Sequence, residues 1–136
     1  MRVLAIDHGT VRMGIAMSDE LKIIAQPLEF IPAEPFSGFL KRFSELLREY
    51  EVELILLGMP RNMDGSYGEA SLKVREFEAV LKNSITLPVK TWDERLTSVQ
   101  ANRALSLGGV KKQKKRKNVD AIAAAILLQS YLDSLA

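Results

Sequence analysis

A chain of 136 residues without cysteine reads as one domain, residues 1–136, able to bury about two-thirds of its unfolded surface; disulfides, thiolate metal sites and a cysteine nucleophile are excluded. The single histidine, His8, excludes a multi-histidine metal centre, so a metal would have to sit on oxygen ligands, which favours Mg²⁺ or Mn²⁺. The net charge of +2 hides a basic segment: Lys111, Lys112, Lys114, Lys115, Arg116 and Lys117 fall within seven residues, and without these six the chain holds 13 basic against 17 acidic residues.

Residues 2–7 read as a first strand, an apolar run closed by Asp7. A charge at the end of an interior strand is costly unless a cation, backbone donors or a metal compensates it, although Asp also opens turns. Arg12 to Met17 reads as a second strand and Ile23 to Ile31 as a third, with Pro27 placing the third at an edge or an irregular point. Phe36, Phe39, Leu40, Phe43, Leu46, Leu47 and Tyr50 recur at helical spacing, as a core-facing stripe does. Leu54 to Leu57 is a buried strand by its continuous apolar character. A polar loop from Gly58 to Gly68 follows, and then a helix with Ala70, Val74, Phe77 and Leu81 on one face. Val89 to Trp92 is the fifth strand. Thr97 with Gln100 suggests a capping box for a helix that stops at Gly108-Gly109. The last element is a long Ala- and Leu-rich helix from about Asn118 to Leu135.

The order, three strands in a meander and then alternating helices and strands, predicts an α/β fold: a mixed five-stranded sheet with helices on both faces. Among familiar folds this best matches the ribonuclease H-like arrangement.

Three acids stand out by position. Asp7 and Glu94 end strands, and sites in α/β sheets lie beyond the carboxyl ends of strands. Asp120 sits in the first turn of the last helix, where Ala121, Ala123, Ala124 and Ala125 would allow close packing on the sheet. Three converging carboxylates would repel unless divalent ions neutralised them, and a pair of such ions performs in-line phosphoryl chemistry. Each acid also has a structural reading: Asp120 as favourable charge at a helix N-terminus, Glu94 as a partner of Arg95, Asp7 as a turn residue. His8 alternates away from Asp7, and Trp92 reads as core.

The motif Asp7-x-Gly9-x-x-Arg12-x-Gly14-x-Ala16-x-Ser18-Asp19 resembles the opening of the YqgF family. Gly58-Met59-Pro60 with Asn62, Asp64-Gly65 and Gly68 resembles its second motif, Asp93-Glu94-Arg95-Leu96-Thr97 its third, and Lys117-x-x-Asp120-x-x-Ala123-Ala124 its last. All four occur in order across essentially the whole chain. The resemblance implies a ribonuclease H-like fold related to Holliday-junction resolvases, in a family described both as resolvases and as nucleases for the 5′ end of precursor 16S ribosomal RNA. It implies Asp7, Glu94 and Asp120 as the catalytic, metal-binding acids.

The leading expectation is therefore a metal-dependent endonuclease using Mg²⁺ or Mn²⁺, as a pair of ions. Its partner would be nucleic acid, precursor rRNA or branched DNA, in the company of ribosome-assembly factors. Arg12, Arg61 and Arg95 are candidate phosphate contacts, with structural ion pairs an equal alternative. The run from Lys111 to Lys117 suits a polyanion, or is a solvated loop. Two other classes stay open: a nucleotide-binding ATPase or sugar kinase, for which the chain is short, and a nucleic-acid-binding factor without catalysis. No run approaches the ~20 apolar residues of a membrane span and no secretory leader is read, so the expected home is the cytoplasm. Monomer and homodimer remain alternatives.

Overall fold

The computed structural model describes residues 1–60, 68–94 and 119–135. Its elements in chain order are β1 (Arg2–Asp7), β2 (Arg12–Ser18), β3 (Ala25–Pro32), α1 (Phe36–Glu49), β4 (Val52–Met59), α2 (Glu69–Ser84), β5 (Val89–Asp93) and α3 (Val119–Ser134). The expected helix between Thr97 and Gly108 lies outside the described residues, as do Arg61, Arg95 and the basic run from Lys111 to Lys117.

The five strands form one mixed sheet in the order β3-β2-β1-β4-β5. β1 is central, antiparallel to β2 and parallel to β4, and β5 extends the parallel half. The meander of the first three strands is as expected. β3 starts at Ala25 instead of Ile23, because Asp19 Oδ1 accepts the backbone N–H groups of Ile23 and Ile24 at 2.7 and 3.0 Å and holds that stretch as a loop. Pro27 does lie on an edge strand, beside a register shift between Ile15 and Ala16, where its missing N–H breaks no central ladder.

Side-chain alternation divides the sheet into two cores. Leu4 and Ile6 of β1 face one side, where Phe39, Phe43 and Leu46 of α1 and Val74, Phe77 and Leu81 of α2 cover them. Val3 and Ala5 face the other side, against Ala124, Ala125, Leu127, Leu128, Tyr131 and Leu132 of α3. Helices thus cover both faces. α1 carries a single buried stripe, as an amphipathic helix on a sheet must. In α3 half of the 16 residues are buried, and its alanines let it lie close to the small side chains of Ala5 and Ala16. Trp92 belongs to this second core: its ring meets Tyr131 edge-on at 5.2 Å and its indole N–H donates to Ser130 Oγ at 3.3 Å.

Candidate active site

Alternation also fixes which charged groups can meet. Asp7 follows Val3 and Ala5 on the α3 side of β1. Ile6 pairs with Leu57, so Asp7 stands beside Gly58 of β4, and Gly58 pairs in turn with Trp92 of β5. Glu94 lies two residues beyond Trp92, on the same face. On the other flank, Asp7 pairs with Gly14 of β2. Asp7 therefore sits between two glycines in one row across the sheet.

Both glycines make room for another acid. A Cβ on Gly58 would lie 3.0 Å from Glu94 Oε1 and 2.9 Å from Leu127 Cδ2. Glu94 therefore reaches toward Asp7 across a strand that has no side chain at that point. A Cβ on Gly14 would overlap the backbone carbonyl of Asp120, so the first turn of α3 rests directly on β2. The sequence alone suggests that Gly58 shapes the loop beyond its strand. Within β4 its role is to leave space for Glu94, a role visible only once the neighbour across the sheet is known.

Asp7 and Glu94 share a hydrogen bond. Burial, then the charge of Glu94 and that hydrogen bond, then the charge of Asp120, push the Asp7 carboxyl up to about 7. Burial raises Glu94 as well and the charge of Asp93 adds to this, while the hydrogen bond from Asp7 opposes it. Two adjacent carboxylates cannot both ionise cheaply away from water, so loss of the pair's last proton is displaced upward from the ordinary carboxylate range.

Asp120 is near enough to act on Asp7 through its charge, but its Oδ2 accepts from Arg12 Nε at 3.0 Å. Arg12 is 52 % exposed, and its guanidinium lies over the Phe30 ring, 5.6 Å from the centroid. Of the three expected acids the structure brings two into contact and ties the third to Arg12. Among the described residues no group of three or more His, Asp or Glu side chains is placed to hold one metal ion. Asp7 and Glu94 line two clefts. One, of about 390 Å³, runs along Ala123, Ile126 and Leu127 of α3. The other, of about 420 Å³, includes Thr10, Pro60, Glu69 and Lys73. His8 turns to the opposite core, as expected from alternation, with its ring 5.1 Å from Phe77.

The sequence matches the RuvX family, described as Holliday junction resolvase, over residues 1–134. A protein of Acetivibrio thermocellus named "Putative pre-16S rRNA nuclease" is 49 % identical over 136 residues, covering 98 % of this chain and 96 % of its own length. A relative of the same name from Desulforamulus reducens is 43 % identical over 134 residues, with 98 % of each chain covered. The chain belongs to the RuvX family. This is the family whose four motifs the sequence carries, known also as YqgF. Two solved structures share the fold of this RuvX chain. Thermus thermophilus RuvC in complex with a Holliday junction substrate has a TM-score of 0.55 at 20 % identity, covering 98 % and 96 % of the two chains. The Fowlpox virus resolvase with Holliday junction DNA has a TM-score of 0.57 at 14 % identity, covering 99 % of each. The ribonuclease H-like arrangement expected from the element order is the arrangement found.

Proposed function

We propose that this RuvX chain is a divalent-metal-dependent endonuclease that hydrolyses phosphodiester bonds, with the 5′ end of precursor 16S rRNA as its substrate. The observation that carries the proposal is the Asp7–Glu94 pair, two half-buried acids brought together beyond the carboxyl ends of parallel strands, where sites in such sheets form. The names of the relatives supply the substrate.

The residues present suit a hard divalent cation. Their donors are carboxylate oxygens, and the pair's last proton is what a cation would displace, relieving the repulsion that raises Asp7. Asp7 and Glu94 would hold Mg²⁺ or Mn²⁺, with Asp120 as the third acid once Arg12 turns to a substrate phosphate. When bound, one or two such ions supply Lewis acidity and a more acidic water. The chain's own groups do the rest. Glu94 and Asp7 orient and accept protons, Arg12 draws in a phosphate through its planar fork, and the packing of α3 on Gly14 fixes the position of Asp120. Arg61, Arg95 and the basic run Lys111, Lys112, Lys114, Lys115, Arg116 and Lys117 are proposed as contacts to the nucleic-acid backbone. The working context is the cytoplasm, together with ribosome-assembly factors.

The second reading is cleavage of branched DNA, which the family's description favours. Symmetric resolution of a junction needs two active sites and hence a homodimer, whereas trimming RNA needs only a monomer. The test is a side-by-side cleavage assay of the purified protein on a precursor rRNA 5′ segment and a four-way junction, with Mg²⁺ or Mn²⁺, and with the mass in solution measured under the same conditions. RNA cleavage that is lost in Asp7→Asn, Glu94→Gln and Asp120→Asn is expected. Cleavage surviving all three substitutions would overturn the catalytic assignment.

A further inference from the structure

A cleft of about 960 Å³ lies on the side of β1 opposite to α3. Its floor is apolar and aromatic, formed by Met13, Phe36, Phe77 and Val80 with the His8 ring beside Phe77. Phe36 and Phe77 meet edge-on at 6.3 Å. His8, Thr10 and Lys73 line both this cleft and the one that contains Asp7 and Glu94, so the two are continuous around the end of β1.

Lys73 is an exposed residue on α2 and forms no salt bridge among the described residues, although Glu69 and Glu76 stand at helical spacing from it. It lines both clefts together with His8. An ammonium without a salt-bridge partner among the described residues, at the junction of an acidic cleft and an aromatic cleft, has no evident structural use there. It has an obvious use if a polyanion passes there, because the acids at the reacting end repel phosphate and a cation must offset them. Glu34 and, one turn along α2 from Lys73, Glu76 also line the cleft; they disfavour a second phosphate beyond Lys73 but accept hydrogen bonds from the exocyclic amines of bases.

We infer that this aromatic cleft binds the unpaired nucleotide next to the scissile phosphate, with its base against the partly exposed Phe36 ring and its phosphate on Lys73. The inference deepens the proposed nuclease reading and rests on it for the identity of the scissile bond. It makes the substrate locally single-stranded at the cut, since a base must leave its stack to lie on an aromatic floor.

The test uses the full chain in EDTA and short single-stranded oligoribonucleotides carrying 2-aminopurine at successive positions around the cleavage site. Quenching at one position beside the scissile phosphate is expected. Lys73→Ala should weaken affinity about 10- to 100-fold, as loss of a charge-assisted phosphate contact does. Phe36→Leu keeps the apolar volume but removes the π face; it should abolish the position-specific quench and weaken binding about 5- to 50-fold. With Mg²⁺ added, Lys73→Ala should raise KM more than it lowers kcat. Unchanged affinity and quench in both variants, at wild-type melting temperature, would overturn the inference even where cleavage is seen. Position-specific quenching that depends on Lys73 and Phe36 in a protein that cuts nothing would uphold the cleft and remove the nuclease reading instead.

Discussion

Gly58 stands beside Asp7 on the neighbouring strand, and the space its missing side chain leaves is taken by the Glu94 carboxylate, 3.0 Å from where a Cβ would be. Contact between the two acids therefore depends on a residue that carries no chemistry. Gly58→Ala should push Glu94 away from Asp7. We expect a loss of about tenfold or more in cleavage, because misplacing a reacting group by about an ångström is costly. The accompanying loss of stability should be only about 1–3 kcal/mol from overpacking against Leu127. Cleavage kinetics with thermal unfolding of the same sample checks the split.

The Asp7–Glu94 pair makes the fold sensitive to pH in an unusual direction. The Asp7 carboxyl is raised from its ordinary 3.8 to about 7 in the folded protein, so the native state binds this proton more tightly than the unfolded chain. Stability from this group is greatest below about pH 4 and falls as pH rises toward and past 7. Asp7→Asn should accordingly melt higher than wild type at pH 8, by roughly 3–8 °C, and the gain should vanish near pH 4. Mg²⁺ or Mn²⁺ at pH 8 should raise the melting temperature of wild type and leave that of Asp7→Asn unchanged. Calorimetric scans across this range decide both points.

Arg12 and Asp120 form a half-exposed pair, so Arg12→Ala should change stability by no more than about 1 kcal/mol. Its effect on cleavage should be larger, about tenfold or more, if the guanidinium both holds Asp120 and receives phosphate. Arg12→Lys should not restore activity, because an ammonium lacks the planar fork. Steady-state kinetics of both variants against their unfolding free energies is the measurement.

Gly14→Ala should be the most damaging of these changes. The added Cβ would overlap the Asp120 backbone, a contact no side-chain rotation can relieve. A loss of about 3 kcal/mol or more is expected. Trp92 is the one tryptophan of the chain and packs on Tyr131 of α3, so a red-shifted emission would report that α3 has lifted from the sheet.

Periodicity made much of this fold legible. The unbroken apolar run of β1 marks a strand buried on both faces, the stripe of Phe39, Phe43 and Leu46 states which face of α1 is buried, and the apolar length of α3 marks a helix buried over much of its surface; hydrophobic burial is the term that decides. The beginning of β3 was hidden because Ile23 and Ile24 look like strand residues, while the Asp19 side chain captures their backbone donors. That Asp7 meets Glu94 was foreseeable only from strand-end position together with recognised motifs. The capture of Asp120 by Arg12 and the clearance at Gly58 and Gly14 depend on which strands are neighbours, and local patterning does not contain strand order.

The last helix carries a consequence for quality control. Removing α3 would uncover Val3, Ala5, Ala16 and Leu56 and delete Asp120 in the same stroke. A fragment lacking this helix would lose its second core together with one of its three acids, so a damaged copy should be unfolded and inert at once. A nuclease assembled in this way has little opportunity to persist as a partly folded chain that still cuts.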